Sequence, residues 1–417
     1  MLNRKYAFTA ESILNYLLVL FAFILPLSEK KATVVLVLII CVWIIEGRWK
    51  EKFHLLKGIE PLKYYALFIL FLGLSLFWSE TLYGGFVKHY PNNAVISYGR
   101  MYIFGFMIIP VLLTSLRKQY IKWLISAFLT AMFISEISSW LVYLDMIHLP
   151  VGSPENPTPF MQHSLYSIFL AVTIFILLTE FTQVDNVYLK GLVILFILSA
   201  GVNLFLNGGR LGQLAFFVAI FVYIFMYFSF SWKSFFLALM AMMVIFTTAY
   251  TVSPVFHKRI DTALSSLHKI TKGNYRSSWG NRAYAWLIAK DIIIEHPLTG
   301  AGIGASKQIF RDKLKNQKDG KLVYRFWHMH NQYIQTLMDA GIIALFLLGI
   351  FFFKLLQIPL PRSSYILLCT FVVIYLVGFI GEPLFWNFQP FLLFNIMVAI
   401  FLYQSIEWKK LKRGQSK

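Results

Sequence analysis

Histidines and arginines at the edges of apolar runs are the residues here best suited to chemistry. His330 lies in WHMHNQYIQTLMDAG, Trp327 to Gly341, where a long polar segment gives way to an apolar one. An imidazole takes and returns a proton near neutral pH, so at a helix mouth it can act as a general base. A histidine resting at headgroup level is the plainer alternative. His328 and His330 form an H-x-H pair able to bind metal, but no carboxylate lies close by in sequence to complete a set, so no metal is expected. Arg210 ends NGGR between two apolar runs. Its planar fork suits phosphate oxygens, and the two glycines let the backbone turn sharply and approach a ligand. The alternative is an arginine snorkelling to the interface. Arg282 opens an amphipathic segment and either reaches the same face or lies on the surface.

Several chemistries lack their residues. There is no D-x-D-type acidic cluster for Mg²⁺, no Walker motif and no G-x-S-x-G. The acidic residues weighed within the spans are Asp145, Asp339 and Glu382, and none is a convincing midplane carboxylate for a proton-coupled transporter. Cys41 and Cys369 both fall inside apolar runs, which gives neither a disulfide framework nor a thiolate metal site.

The elements that must position these residues are membrane helices. The chain is 58% hydrophobic and only 14% charged, against about 25% charged in soluble domains. Its apolar runs are continuous rather than alternating, which selects helices over a barrel. The expected fold is an all-α polytopic membrane protein with about twelve spans, near 12–28, 32–47, 62–79, 95–115, 123–147, 163–180, 189–206, 211–230, 233–252, 331–356, 363–381 and 385–406. The first run follows Arg4 and Lys5, no small-residue cleavage site ends it, and it reads as an uncleaved span. With the N-terminus inside, 19 Lys and Arg fall in inner segments and 5 in short outer ones (Lys30, Lys31, Lys88, Arg100 and Arg210). That bias puts both termini in the cytoplasm. Four regions follow: 1–252 with nine spans, a periplasmic loop at 253–329, three spans at 330–406, and a basic cytoplasmic tail at 407–417.

The loop holds the other 14 basic residues against five acidic ones, a net of +9. Positive-inside bias does not call for charge there. An anionic ligand explains it, and so does a solvated loop beside anionic lipid. Nucleic acid is a poor explanation, because most of the basic residues follow the topology. Arg282 to Glu295 reads as an amphipathic helix at the interface, with Trp286, Ala289 and Ile293 near one face, Asn281 as cap and Pro297 as terminator. Gly300, Gly302 and Gly304 then make a turn, and no strand precedes it to suggest a nucleotide loop. Lys307 to Lys321 looks helical and very basic.

The ordered set of features resembles the O-antigen ligase and polymerase superfamily of bacterial envelopes. The NGGR arginine precedes one large loop. GNRAYAWLIAKDIIIEHPLTGAGIG is similar to the family's R-x(4)-W … HPL-x-G-x-G segment through Arg282, His296, Pro297, Leu298, Gly300 and Gly302, with Trp286 offset. His330–Asn331 to Gly341 is similar to its H-N-x(9)-G signature. The resemblance is specific over about 280–345 and architectural elsewhere. It implies a GT-C-like membrane glycosyltransferase in the inner membrane, with its active site facing the periplasm. The implied donor is O-polysaccharide on undecaprenyl pyrophosphate, the acceptor a sugar hydroxyl of lipid A–core, and neither metal nor cofactor is required. A polymerase would instead extend lipid-linked repeat units, and a related branch glycosylates proteins. A lipid-glycan transporter is the non-enzymatic alternative. On this reading His330 is the base, Arg210 and Arg282 stabilise the leaving pyrophosphate, and Asn331, His328 and Trp286 complete the substrate-binding set. The sequence assigns no role to Arg100 or Lys88.

Overall fold

The computed structural model describes residues 10–79, 98–315, 317, 319–326 and 328–415. Lys88, the loop expected at 80–94, Trp327 and the side chain of Arg100 lie outside the described residues. Among those described, the long apolar runs are helical, which keeps every backbone bond inside its own segment. In chain order the helices are α1 (Ala10–Ile24), α2 (Glu29–Glu46), α3 (Trp49–Lys57), α4 (Glu60–Leu74), α5 (Phe104–Ser115), α6 (Lys118–Tyr143), α7 (His163–Phe181), α8 (Val187–Leu206), α9 (Arg210–Tyr227), α10 (Trp232–Val252), α11 (Pro254–Thr271), α12 (Ser278–Glu295), α13 (Ala305–Lys315), α14 (Gln332–Leu356), α15 (Arg362–Gly381) and α16 (Phe388–Gln415). A 3-10 turn, Ser75–Trp78, extends α4.

Nine of the described helices are long and apolar enough to cross a membrane, ten if α2 and α3 form one broken span. This is fewer than the twelve expected. The stretches expected at 12–28 and 95–115 appear as shorter apolar helices, Ala10–Ile24 and Met101–Ser115, below the roughly 20 residues a straight crossing requires. The run expected at 32–47 ends at Gly47 and Arg48, both in the left-handed region (φ 70° and 55°). The chain there turns by 111° into α3.

Ion pairs collect at one end of the bundle: Arg117 Nε to Glu11 (2.7 Å), Lys52 Nζ to Glu46 (2.8 Å) and Lys354 Nζ to Glu60 (2.8 Å). The last pair joins the end of α14 to the start of α4. Those two helices are therefore antiparallel, and the start of α14, with His330 just before it, lies at the opposite end. Aromatic rings fill the space between. Tyr65 of α4 stacks on Phe351 of α14 at 4.3 Å. Its hydroxyl donates to Asn395 Oδ1 (2.8 Å), and Asn395 Nδ2 donates to the Gly105 carbonyl (2.9 Å), tying α4, α16 and α5 together.

The long polar segment has a core of its own. Helix α12 turns Tyr284, Ala285, Ile288, Ala289 and Ile292 inward against Phe310 and Leu314 of α13 and Met338 of α14. Trp286 and Ile293 flank this face, partly buried. The helix begins earlier than expected. Ser277 is its cap, accepting from the Gly280 N–H at 3.0 Å, and Asn281 lies inside the first turn.

The turn Leu298–Gly304 docks on α14. Ala301 and Gly302 N–H donate to the Met338 and Asp339 carbonyls (2.8 and 3.1 Å), while Ile342 and Ile343 N–H donate to those of Pro297 and Leu298 (2.9 and 3.3 Å). Gly341, at φ 69°, breaks the α14 ladder and frees those two donors. A Cβ on Gly341 would lie 2.3 Å from the Leu298 carbonyl group, and one on Gly300 would lie 2.4 Å from Ala340 N. The glycines thus permit backbone-to-backbone contact. Asp339 clamps the joint, accepting from Ser306, Gln335 Nε2 (2.9 Å) and Trp386 Nε1 (3.3 Å).

Candidate active site

His330 is held in place through its neighbours. The Met329 carbonyl accepts from Trp286 Nε1 (2.8 Å), and the Met329 N–H donates to Gln335 Oε1 (3.1 Å). Asn331 caps α14 by accepting from Ile334 N–H (3.0 Å), while its amide nitrogen donates to the Ile380 carbonyl (3.0 Å). Between these anchors His330 adopts a left-handed backbone, φ 49°. Such a conformation persists in a non-glycine residue only where its surroundings enforce it. His330 therefore precedes the helix, and Asn331 is the capping residue.

Glu382, at the end of α15, brings a carboxylate to both histidines. His330 Nδ1 lies 3.0 Å from Oε2, and His328 Nε2 lies 3.3 Å from Oε1. Asn387 Nδ2 donates to the same carboxylate at 3.4 Å. Burial alone would raise the Glu382 carboxyl, but the hydrogen bond from His330 and the charges of His328, His330 and Arg282 outweigh it, and the group is held below the usual range. An ionised carboxylate only accepts hydrogen bonds, so His330 donates from Nδ1, and in the neutral ring the lone pair then lies on Nε2. The tautomer is thus the one a general base needs. Burial pushes His328 down to about 4, against the opposing pull of Glu382. His328 is therefore neutral, with Nδ1 accepting from the His330 N–H at 3.2 Å.

The carboxylate missing from the H-x-H neighbourhood in sequence is therefore supplied by the fold. Ligand-type atoms of His328, His330 and Glu382 all lie within 4.8 Å of one another. Two hydrogen bonds compete with such a use of these atoms. His328 Nδ1 is engaged as an acceptor, so Nε2 bears its hydrogen, and His330 Nδ1 bears one as well. A metal at this centre would have to displace both protons.

Arginines face this group. Arg210 is the first residue of α9, and Arg259 and Arg282 both act on it electrostatically. All three, with Glu382, act on His163 at the start of α7. No carboxylate oxygen among the described residues lies within 4.0 Å of any of the three guanidinium groups. Burial lowers the Arg282 guanidinium, opposed by Glu382. The NGGR glycines serve close approach: a Cβ on Gly208 would lie 2.7 Å from Arg259 Nη2, and one on Gly209 would lie 2.4 Å from Ser167. Asn156 fixes the turn, accepting from the Gly208 N–H (2.7 Å) with its amide 3.4 Å from His163 Nδ1.

The structure thus gathers Arg210, Arg282, His328 and His330 at one end of the bundle, and places Trp286 and Asn331 as supports of the His330 backbone. Glu382, Arg259, His163 and Asn156 belong to the same group without having been singled out as site residues. Glu382 stood out in sequence only as an acid at the edge of a span. Arg259 was one of 14 loop cations with nothing in its spacing to mark it.

Residues 193–349 match a family model described as O-antigen ligase. An uncharacterized protein of Haemophilus influenzae is 29% identical over 142 residues, an alignment covering 33% of this chain and 36% of that relative's own length. Proteins of the matched family are membrane enzymes that transfer glycans. Glu382 and His163 lie outside the matched stretch, and Arg210, Arg259, Arg282, His328 and His330 lie within it. Over residues 193–349, then, this chain is similar to the O-antigen ligase family.

Proposed function

We propose that this protein is an O-antigen ligase of the bacterial inner membrane, a GT-C-type glycosyltransferase with its site on the periplasmic face. It moves O-polysaccharide from undecaprenyl pyrophosphate to a sugar hydroxyl of lipid A–core. The observation that carries this reading is a histidine whose Nδ1 is held by a buried carboxylate, near three arginines that have no carboxylate oxygen within 4.0 Å among the described residues. The acceptor oxygen attacks the anomeric carbon as its proton passes to His330 Nε2, and the bond from that carbon to the pyrophosphate breaks. The electron pair leaves with the pyrophosphate, whose growing charge Arg210, Arg259 and Arg282 neutralise. Attack opposite the leaving group inverts the anomeric centre, and no metal enters. Glu382 positions His330, as do Trp286, Asn331 and His328 through its backbone. In this reading both termini lie in the cytoplasm, the broken span α2–α3 and the two short apolar helices bring the nine to twelve, and 253–329 is the periplasmic loop.

Polymerase chemistry uses the same donor and the same groups. The loop's net charge of +9 favours the ligase, because lipid A–core presents phosphates of its own. Lipopolysaccharide gels of a deletion strain decide between them. Loss of a ligase leaves bare core while lipid-linked polymer accumulates, whereas loss of a polymerase leaves core bearing one repeat unit. His330→Ala and Arg210→Ala should cut transfer by orders of magnitude, to a small residual level, at normal protein level. Arg210→Lys, which keeps the charge and loses the fork, should restore little of it. Polysaccharide-capped core at the wild-type level in both alanine variants would sink the proposal.

A further inference from the structure

Helix α6 buries a carboxylate that this chemistry does not use. Glu136 lies inside the span expected at 123–147. It is 2% exposed, and neither of its carboxylate oxygens makes a hydrogen bond of standard geometry, although the Ser199 and Trp140 side chains lie close enough to act on it. The hydroxyls of Ser135, Tyr166 and Thr158 are likewise buried and unpartnered. These residues share one locality. Tyr166 of α7 interacts electrostatically with Glu136 and is approached by Ser135 and Ser139. Thr158 follows Pro157, whose carbonyl accepts from Ser139.

Folded proteins leave few buried polar atoms unmatched, and here five oxygens are unmatched together. An ionised carboxylate in such a place requires a positive partner. No cationic side chain contacts Glu136 among the described residues. The donor set is oxygen only, which suits a hard cation over a transition metal. It carries a single negative charge, so a dication would leave excess positive charge in the bundle. We propose that Glu136, with the hydroxyls of Ser135, Tyr166 and Thr158, binds a monovalent metal cation of the sodium type.

This site lies beneath the Arg210 turn. Ser139 touches the Asn203 side chain at 2.9 Å, Asn207 Nδ2 donates to the Asn203 carbonyl at 3.0 Å, and the Gly209 N–H donates to Asn207 Oδ1 at 2.8 Å. A bound cation would thereby stiffen the turn that presents Arg210. That consequence rests on the proposed transferase reading, whereas the binding itself does not.

The test uses the purified full chain in detergent, unfolded thermally in NaCl or in N-methyl-D-glucamine chloride at equal ionic strength. Sodium should raise the wild-type midpoint along a saturating curve, since a ligand of the folded state stabilises it. Glu136→Gln should abolish that dependence. Tyr166→Phe, which removes one oxygen at nearly constant volume, should move the curve to higher sodium and serves if the first variant does not fold. Equal wild-type midpoints in the two salts, or an unchanged sodium curve in both variants, would overturn the proposal. Because the readout is unfolding, it stands whether or not glycan transfer is confirmed.

Discussion

Replacing Glu382 with Gln keeps the size of the side chain and removes the charge that both histidines face. His330 then loses an ionic acceptor at 3.0 Å and His328 loses one at 3.3 Å. A hydrogen bond to a charged group contributes about 1.5–3 kcal/mol. If the bond to His330 is present at full strength in the transition state, where the imidazole becomes cationic, its loss slows transfer roughly 10- to 150-fold at about 1.4 kcal/mol per decade. The amide adds a second effect. Where its NH₂ faces His330 Nδ1, that nitrogen must accept, the ring proton moves to Nε2, and the base is lost. The assay is transfer of polysaccharide to lipid A–core in membranes, scaled to protein level by immunoblot. The double variant Glu382→Gln with His330→Ala supplies the control: if Glu382 works only through His330, it should be no slower than His330→Ala alone. Transfer by Glu382→Gln within about twofold of wild type, or further loss in the double variant, would refute the argument; the smallest loss expected from one charged hydrogen bond is about tenfold.

Gly341→Ala should destabilise the chain, because a Cβ there sits 2.3 Å from the Leu298 carbonyl group at φ 69°. The backbone conformation alone costs of order 1–3 kcal/mol, and a lowered melting midpoint with poor membrane yield checks it. Trp286→Phe removes the 2.8 Å bond to the Met329 carbonyl but keeps most of the ring; a loss of about 1 kcal/mol should appear in thermal unfolding, with transfer reduced about fivefold. Acid should destabilise the site. His328 is held near 4 in the folded chain, while unfolding returns it to its ordinary range near 6.5. The unfolded chain therefore binds the extra proton between those values, and stability is full above pH 6.5 and falls toward pH 4, by up to about 3 kcal/mol. His328→Gln should flatten that slope in melting midpoints taken across the window.

Much of the fold was legible because lipid leaves a backbone few options. Long apolar runs had to become helices, and NGGR had to be a break between two of them. The start of α14 was readable for a similar local reason, since Asn331 is a capping residue followed directly by an apolar run. Span count was less legible. Gly47 and Arg48 bend α2 away at a left-handed pair that hydropathy does not register, and α1 is shorter than its apolar run suggested. The cap of α12 was misplaced because Ser277 and Asn281 are both capable caps, and packing of Tyr284 and Ala285 against α13 and α14 decided for the longer helix.

The sequence by itself determined which side chains can do chemistry: His330 and Arg210 stand out because an ionisable group beside hydrocarbon requires a reason. It also determined that the GAGIG stretch is a turn. Only the tertiary structure decided what these groups face. Glu382 is 52 residues from His330, and the contact that sets the imidazole's tautomer exists because α15 packs to end where α14 begins. Arg259 is one loop cation among 14 until α11 brings it against Gly208. Glu136 is one more acid in a helix until the hydroxyls of its neighbours are seen to lack partners. Local sequence fixes a residue's chemistry and its helix, whereas the partners that tune its charge come from packing between segments far apart in the chain.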